Sequence, residues 1–387
     1  MRDFTYYNPT RIIFGRGAEE KTGRYAAQHG KKALLHYGGG SIKKNGVYDK
    51  VVESLRVAGV SFVELGGVRP NPRLSLVREG IALCKREKAD LVLAVGGGSA
   101  IDSAKAIAVG AMSEKDIWYY YEDRAHAKEI TGALPVGVVL TIPAAGSESS
   151  INSVITNEQG WYKRGLNSEA LIPRFAMVNP ESNYTLPAYQ TACGCADIFA
   201  HLLERYFTTV EHVDLSDRLI EAAMRTVLNY APLAQKHPQD YDIRAEINWT
   251  GTIAHNSLLD RGRIGDWGSH AIEHELSGVY DIAHGAGLAI VLPAWMRYVW
   301  DRMPNRFMQF AVRVMDVDLS FNAPDLVVGE GIDRLERFFR SIGLPTRLSE
   351  ANIADDRLRE MADKAGPVGN SIPLQPDDIL EIYTLAL

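Results

Sequence analysis

The stretch LVLAVGGGSAIDSAKAIAVGA, residues 91–111, decides the fold. Leu91 to Val95 are apolar without alternation, which reads as a strand covered on both faces. Gly96, Gly97, Gly98 and Ser99 follow, and then small and apolar residues at helical spacing. A strand that opens through glycines into a helix leaves uncrowded backbone N–H groups at the positive end of the helix dipole, which suits a phosphate. The same order occurs earlier, where KALLHY (Lys32 to Tyr37) meets Gly38, Gly39, Gly40 and Ser41. Outward from these two turns, Val47 to Ala58 and Leu74 to Glu87 read as helices, and Ser61 to Leu65 and Val136 to Ile142 as strands. Strands alternating with helices of about 10–15 residues imply a parallel sheet with right-handed crossovers.

After Ser150 the pattern changes. Val154 to Thr156 and Trp161 to Lys163 flank Asn157-Glu158-Gln159-Gly160 and predict a hairpin. From Thr185-Leu186-Pro187 onward the chain reads as almost wholly helical, with segments near Asp217–Tyr230, Ile243–Asn256, Ala286–Val299, Leu326–Ile342 and Pro376–Leu385. The expected division is an α/β nucleotide-binding domain over 1–186, with a Rossmann-like parallel sheet, and an all-α domain over 187–387. No solenoid-type repeat is present.

A chain of 387 residues fits two domains. Its formal charge of −6, with no run of Lys or Arg, argues against a nucleic-acid surface. No segment reaches the ~20 apolar residues of a membrane span, and MRDFTYYNPTRIIF lacks the apolar core of a signal peptide. Cys84, Cys193 and Cys195 make no disulfide framework. A soluble, cytoplasmic protein is expected.

Neither glycine turn fits the GxGxxG fingerprint or the GxxxxGK[ST] P-loop. Together, following two buried strands of one sheet, they still predict a dinucleotide held by Gly39, Gly40 and Ser41 and by Gly97, Gly98 and Ser99. The first strand ends without a carboxylate to bind a ribose 2′-hydroxyl, while Lys43 and Lys44 follow closely. This favours NADP(H) over NAD(H).

The stretch HAIEHELSGVYDIAH, residues 270–284, holds three of the ten histidines on a helical pattern interrupted at Gly278. His270 and His274 are four apart and share a face, as do Asp197 and His201. The latter pair sits among Ala196, Ile198, Phe199, Ala200 and Leu202, where burying a carboxylate and an imidazole is costly without compensation. One carboxylate with two or three imidazoles is a sensible first shell for Zn2+ or Fe2+. His274-Glu275 starts like HExxH but lacks the second histidine, and Ser147 has no GxSxG context. Glu273 and Glu275, on different faces beside His274, read as solvated; Trp118 to Tyr121 read as packing.

These residues carry a resemblance. The segments YYNPTRIIFG, YGGGSIKKNGVYD, RPNPRLSLVREG, AVGGGSAIDSAKAIA, PAAGSESS, CADIFAHLLERYF and HAIEHELSGVYDIAHGAGLAIVLP make the chain similar, along its whole length, to the iron-containing (group III) alcohol dehydrogenase family, in its butanol dehydrogenase and broad-range aldehyde reductase branch. The resemblance implies a dehydroquinate synthase-like fold, a homodimer joined near Tyr7 to Phe14, and interconversion of primary alcohols and aldehydes by hydride transfer. It implies metal ligation by Asp197, His201, His270 and His284, with His274 facing substrate. It places Asp102 one turn beyond the pyrophosphate loop, Asn71 on the cofactor, and Thr141 and Lys163 along the nicotinamide. Ala145 and Ser150 depart from the family pattern and put that loop's contacts in doubt. A polyol dehydrogenase, a maleylacetate-type reductase and a dehydroquinate synthase-like lyase are the rival readings.

Overall fold

The computed structural model describes all residues, Met1–Leu387. The chain forms two compact units. One comprises Tyr7–Leu186 and Pro238–Ser257; the other comprises Met1–Tyr6, Pro187–His237 and Leu258–Leu387.

The first unit is built on a parallel sheet of β1 (Arg11–Phe14), β2 (Lys32–Tyr37), β3 (Ser61–Leu65), β4 (Leu91–Gly96), β5 (Val136–Leu140) and β8 (Phe175–Val178), in the order β1-β8-β5-β4-β2-β3. The apolar runs are continuous because both faces are covered. Val92 and Ala94 point into one core with Ile101, Ala104 and Ile107, while Leu91, Leu93 and Val95 point into the other with Val47, Val51 and Leu55. From β2 the chain winds to β3 at one edge; from β4 it winds the other way, to β5. The adjacent pair β2 and β4 therefore marks a topological switch point, where open α/β sheets bind ligands. Tyr37 is in register with Val95, so the two glycine turns leave the sheet side by side.

The hairpin is β6 (Asn152–Asn157) and β7 (Tyr162–Asn167), antiparallel and separate from the main sheet. Arg11–Phe14 pairs with β8 as an edge strand of its own sheet. The segment 238–257, read as part of the helical half, belongs to the α/β unit. Its helix Tyr241–His255 is tied there by Thr252 Oγ1 donating to Glu148 Oε1 (2.6 Å) and Asn248 Nδ2 donating to Asn183 Oδ1 (2.5 Å).

The second unit is helical. Ala188–Tyr206 runs through its middle, with every residue from Thr191 to Tyr206 buried. It is buried on all sides although it carries Asp197, His201, Glu204 and Arg205, so these polar groups need partners within the core. Gly285 allows the segment that carries His284 to approach it: a Cβ there would lie 2.0 Å from the Cys193 carbonyl oxygen. Gly278 does not interrupt its helix, which spans Gly268–Tyr280 and stops where Asp281 takes a left-handed backbone, φ 54°. No helix is long and apolar enough to cross a membrane.

Candidate metal centre and dinucleotide turns

The helical unit brings together the buried Asp197, His201 and His270, whose donor atoms all lie within 4.8 Å of one another. Asp197 and His201 come from successive turns of Ala188–Tyr206, and His270 from the first turn of Gly268–Tyr280. His284 opens the helix His284–Val299, and its Nε2 is 3.7 Å from Asp197 Oδ1. Glu273, His274 and His284 form a second set within the same limit, so His284 stands between the two groups.

The hydrogen bonds fix how the rings are turned. His201 Nδ1 lies 2.8 Å from the Asp197 carbonyl oxygen, and His270 Nδ1 lies 2.9 Å from Glu204 Oε1. A carbonyl or carboxylate oxygen only accepts, so both Nδ1 atoms carry the proton and both Nε2 atoms keep a lone pair. Glu273 accepts in the same way from His284 Nδ1. His270 Nε2 is buried with no hydrogen-bond partner, and Asp197 Oδ1 has His201 Nδ1 beside it, at 3.0 Å, a nitrogen that also faces the Asp197 carbonyl. An unpartnered buried imidazole nitrogen is costly, and a divalent cation shared with the carboxylate relieves it. The donor set of one carboxylate and imidazoles thus fits Zn2+ or Fe2+.

Electrostatics agree. Burial alone would raise the Asp197 pKa, but the imidazoles of His201 and His284 outweigh it and hold the carboxylate below its usual range. Burial, reinforced by His201 and His284, pushes the His270 pKa well down, which keeps the ring neutral. Glu204 is pushed up by burial, against donors from Ser269 Oγ and the backbone N–H groups of His270 and Trp267.

The sequence reading missed three buried carboxylates of this unit. Glu204 falls on the same helix face as Asp197 and His201, seven and three residues away, which was the available signal. Glu273 and Glu275, expected to be solvated, are buried at 0% and 1% exposure. Glu273 is taken by His284 and Ser277, and Glu275 lies 3.4 Å from Lys364 Nζ, so each has a partner that the local pattern does not reveal.

In the α/β unit, Gly39, Gly40 and Ser41 follow β2, and Gly97, Gly98 and Ser99 open the helix Gly98–Met112 after β4. Gly97 is required by packing, since a Cβ would lie 2.8 Å from the Ile142 Cβ. A Cβ on Gly98 would be 3.6 Å from the Ala145 Cβ, an ordinary contact. Asn71 sits between β3 and Leu74–Glu87 with φ 54°. Lys163 pairs with Thr156 across the hairpin, and Thr156 N donates to the Pro72 carbonyl, so Thr156 lies between Lys163 and the Asn71 turn. Thr141 N donates to the Gly96 carbonyl at the end of β5. Asp102 gives its two oxygens to Ser147 Oγ (2.6 Å) and Val154 N (2.9 Å), so it organises the loop that contains Ala145 and Ser150. Lys105, one turn on and fully buried, donates to the Ser150 and Asn152 carbonyls; burial lowers its pKa to about 8.

A fourth carboxylate was missed near the first glycine turn. Glu64, from β3, accepts from Tyr37 Oη (2.7 Å), Tyr48 Oη (2.6 Å) and Lys43 Nζ (3.5 Å). It comes from the neighbouring strand, which a search at the end of β2 does not reach.

Residues 9–180 match the family described as iron-containing alcohol dehydrogenase, and residues 191–387 match the C-terminal region of the Fe-containing alcohol dehydrogenase family. The chain belongs to the iron-containing alcohol dehydrogenase family. A probable NADH-dependent butanol dehydrogenase of Bacillus subtilis is 44% identical over 390 residues, covering all of both chains. The NADPH-dependent aldehyde reductase YqhD of Escherichia coli is 37% identical, over 90% of this chain and 89% of its own. The crystal structure of NADH-dependent butanol dehydrogenase A from Thermotoga maritima superposes with a TM-score of 0.95 at 41% identity, covering 100% of this chain and 99% of that one. This member of the family is an oxidoreductase that interconverts alcohols and aldehydes with a nicotinamide cofactor and a divalent metal.

Proposed function

We propose that this dehydrogenase reduces aldehydes such as butanal to primary alcohols, reversibly, favouring NADPH over NADH, with Asp197, His201, His270 and His284 as metal ligands. The observation that carries the reading is the unpartnered buried His270 Nε2, in a set with Asp197 and His201 whose donor atoms lie within 4.8 Å. A divalent ion held there supplies Lewis acidity to a carbonyl oxygen, and the nicotinamide supplies the hydride.

The chain's own groups do the rest. Asp197 contributes the negative charge, and the Nδ1 anchors of His201 and His270 keep their Nε2 lone pairs turned inward. His274, half-buried with its ring 5.6 Å from that of His284, donates the proton to the product oxygen. Backbone N–H groups at Gly97, Gly98 and Ser99 hold the pyrophosphate at a helix N-terminus. Asp102 keeps the adjoining loop in place, and Asn71, Thr141 and Lys163 line the cofactor. Gly39, Gly40, Ser41 and the exposed Lys44 receive the 2′-phosphate. The tyrosine hydroxyls of Tyr37 and Tyr48 keep the Glu64 carboxylate ionised, and Lys43, at 3.5 Å, offsets its charge. The protein works as a cytoplasmic homodimer, joined at the outer edge of β1.

The test is NADPH oxidation with butanal before and after chelation, with Zn2+ or Fe2+ added back. Activity is expected to vanish on chelation and to return with the ion. The kcat/KM for NADPH is expected to exceed that for NADH, and Lys44→Ala to narrow the ratio several-fold. Undiminished turnover by metal-free protein refutes the reading.

A further inference from the structure

His284 is the least enclosed of the four proposed ligands. Its side chain is 24% exposed, against 7% for those of His201 and His270. It is the first residue of its helix and follows a turn at Asp281 with left-handed backbone. His201 is steadied by a carbonyl of its own helix, and His270 by Glu204. For His284 the corresponding anchor is Glu273, eleven residues earlier.

Several features of the fold converge on that anchor. Glu273 is fully buried, one turn after His270 on the same helix face. Its Oε2 accepts from His284 Nδ1 and its Oε1 from Ser277 Oγ, so both oxygens are engaged. Ser277 Oγ is also 3.1 Å from the Ile282 carbonyl, which links the carboxylate to the turn leading into His284. Gly287, one turn into the His284 helix, leaves the space: a Cβ there would lie 2.5 Å from Glu273 Oε1 and 2.9 Å from its Cγ. With Nδ1 held in this way, the opposite nitrogen, Nε2, faces Asp197 Oδ1 at 3.7 Å.

Resting on the metal reading above, we propose that Glu273 is a positioning residue for the fourth ligand. Its carboxylate fixes the tautomer and rotation of His284, raises the basicity of Nε2, and so determines how tightly the ion is retained. Outer carboxylates of this kind typically change metal affinity by about 10–100-fold.

The test uses the full chain, stripped and reloaded with Co2+ or Zn2+, as wild type, Glu273→Ala and Glu273→Gln. Affinity is read by competition with a chromophoric chelator, and ligand geometry by the visible Co2+ spectrum, which a merely structural role would not move. Glu273→Ala is expected to weaken Zn2+ binding by about 10–100-fold and to change the Co2+ bands. Glu273→Gln, which keeps an acceptor for Nδ1 but loses the charge, is expected to fall between, at about 3–10-fold. Folding is followed by circular dichroism, and if the alanine variant fails to fold, the glutamine variant decides alone. Zn2+ affinity within twofold of wild type, with an unchanged Co2+ spectrum, overturns the inference and leaves the metal reading intact. A wild-type chain that takes up no Co2+ or Zn2+ overturns both.

Discussion

Removing the His270 ring leaves Glu204 with three other donors, Ser269 Oγ and the backbone N–H groups of His270 and Trp267. The carboxylate is not orphaned, so His270→Ala is expected to fold. It loses a proposed ligand from a buried set, and its metal content is expected to fall from about one ion per chain to near zero. Turnover should drop at least ~10³-fold, about 4 kcal/mol of transition-state stabilisation. Metal analysis by mass spectrometry, with circular dichroism as the folding control, checks this; full metal and full activity would sink the ligand assignment. At this scale the sequence is legible where chemistry and periodicity coincide. Asp197 and His201 stand out because charged and imidazole groups at i and i+4 interrupt an apolar helix. Glu204, Glu273 and Glu64 do not stand out, because a carboxylate is usually solvated and their partners lie 66, 11 and 27 residues away. Only Glu204 gives a sequence signal, its place on the helix face of Asp197 and His201; burial distinguishes Glu273, and burial of a single glutamate is a property of the tertiary fold.

Strand β2 contributes a buried group with a pH signature. His36 has Nδ1 at 2.8 Å from the Leu65 carbonyl and Nε2 at 2.8 Å from Ser103 Oγ, joining β2 to β3 and to the helix Gly98–Met112. Burial lowers its pKa from 6.5 to about 4. As pH falls, the unfolded chain takes up this proton first, so the contribution is fully present above about 6.5 and is lost progressively towards about 4. Between pH 7 and 5 the loss is expected to be about 2 kcal/mol. His36→Asn in metal-free protein should be less stable at pH 7 yet lose less on moving to pH 5, read as urea midpoints. Parallel losses in the two proteins would refute this. Elements of this kind were the most legible: Lys32–Tyr37, Ser61–Leu65 and Leu74–Glu87 match the apolar periodicity residue for residue. Phe175–Val178 was not foreseen, being four residues long and recognisable as a strand only through its pairing with β1 and β5. The helix Pro304–Arg313 escaped for a similar reason, since ten residues give few repeats of the helical period.

Over the whole chain, composition and period identify an α/β part and a helical part, but not the allegiance of every segment. Tyr241–His255 lies in sequence between helices of the second unit and folds with the first. Its apolar spacing does not say which unit it packs on; contacts such as Thr252 to Glu148 and the Trp249 ring against Phe14 tie it to the first. The division has a thermodynamic consequence. The proposed metal ligands all lie in the helical unit, and the glycine turns all lie in the other. A ligand that binds only folded protein stabilises it by about 2.7 kcal/mol at 100 times its Kd. Zn2+ should therefore slow hydrogen exchange first in peptides from Ala188–Tyr206, Gly268–Tyr280 and His284–Val299. NADPH added to metal-free protein should act first on β2, β4 and the helix Gly98–Met112. Exchange mass spectrometry of apo, Zn2+-loaded and NADPH-loaded protein reads both effects in one experiment. If chelation alters protection only within Tyr7–Leu186, the assignment of ion and dinucleotide to separate units of the chain is wrong.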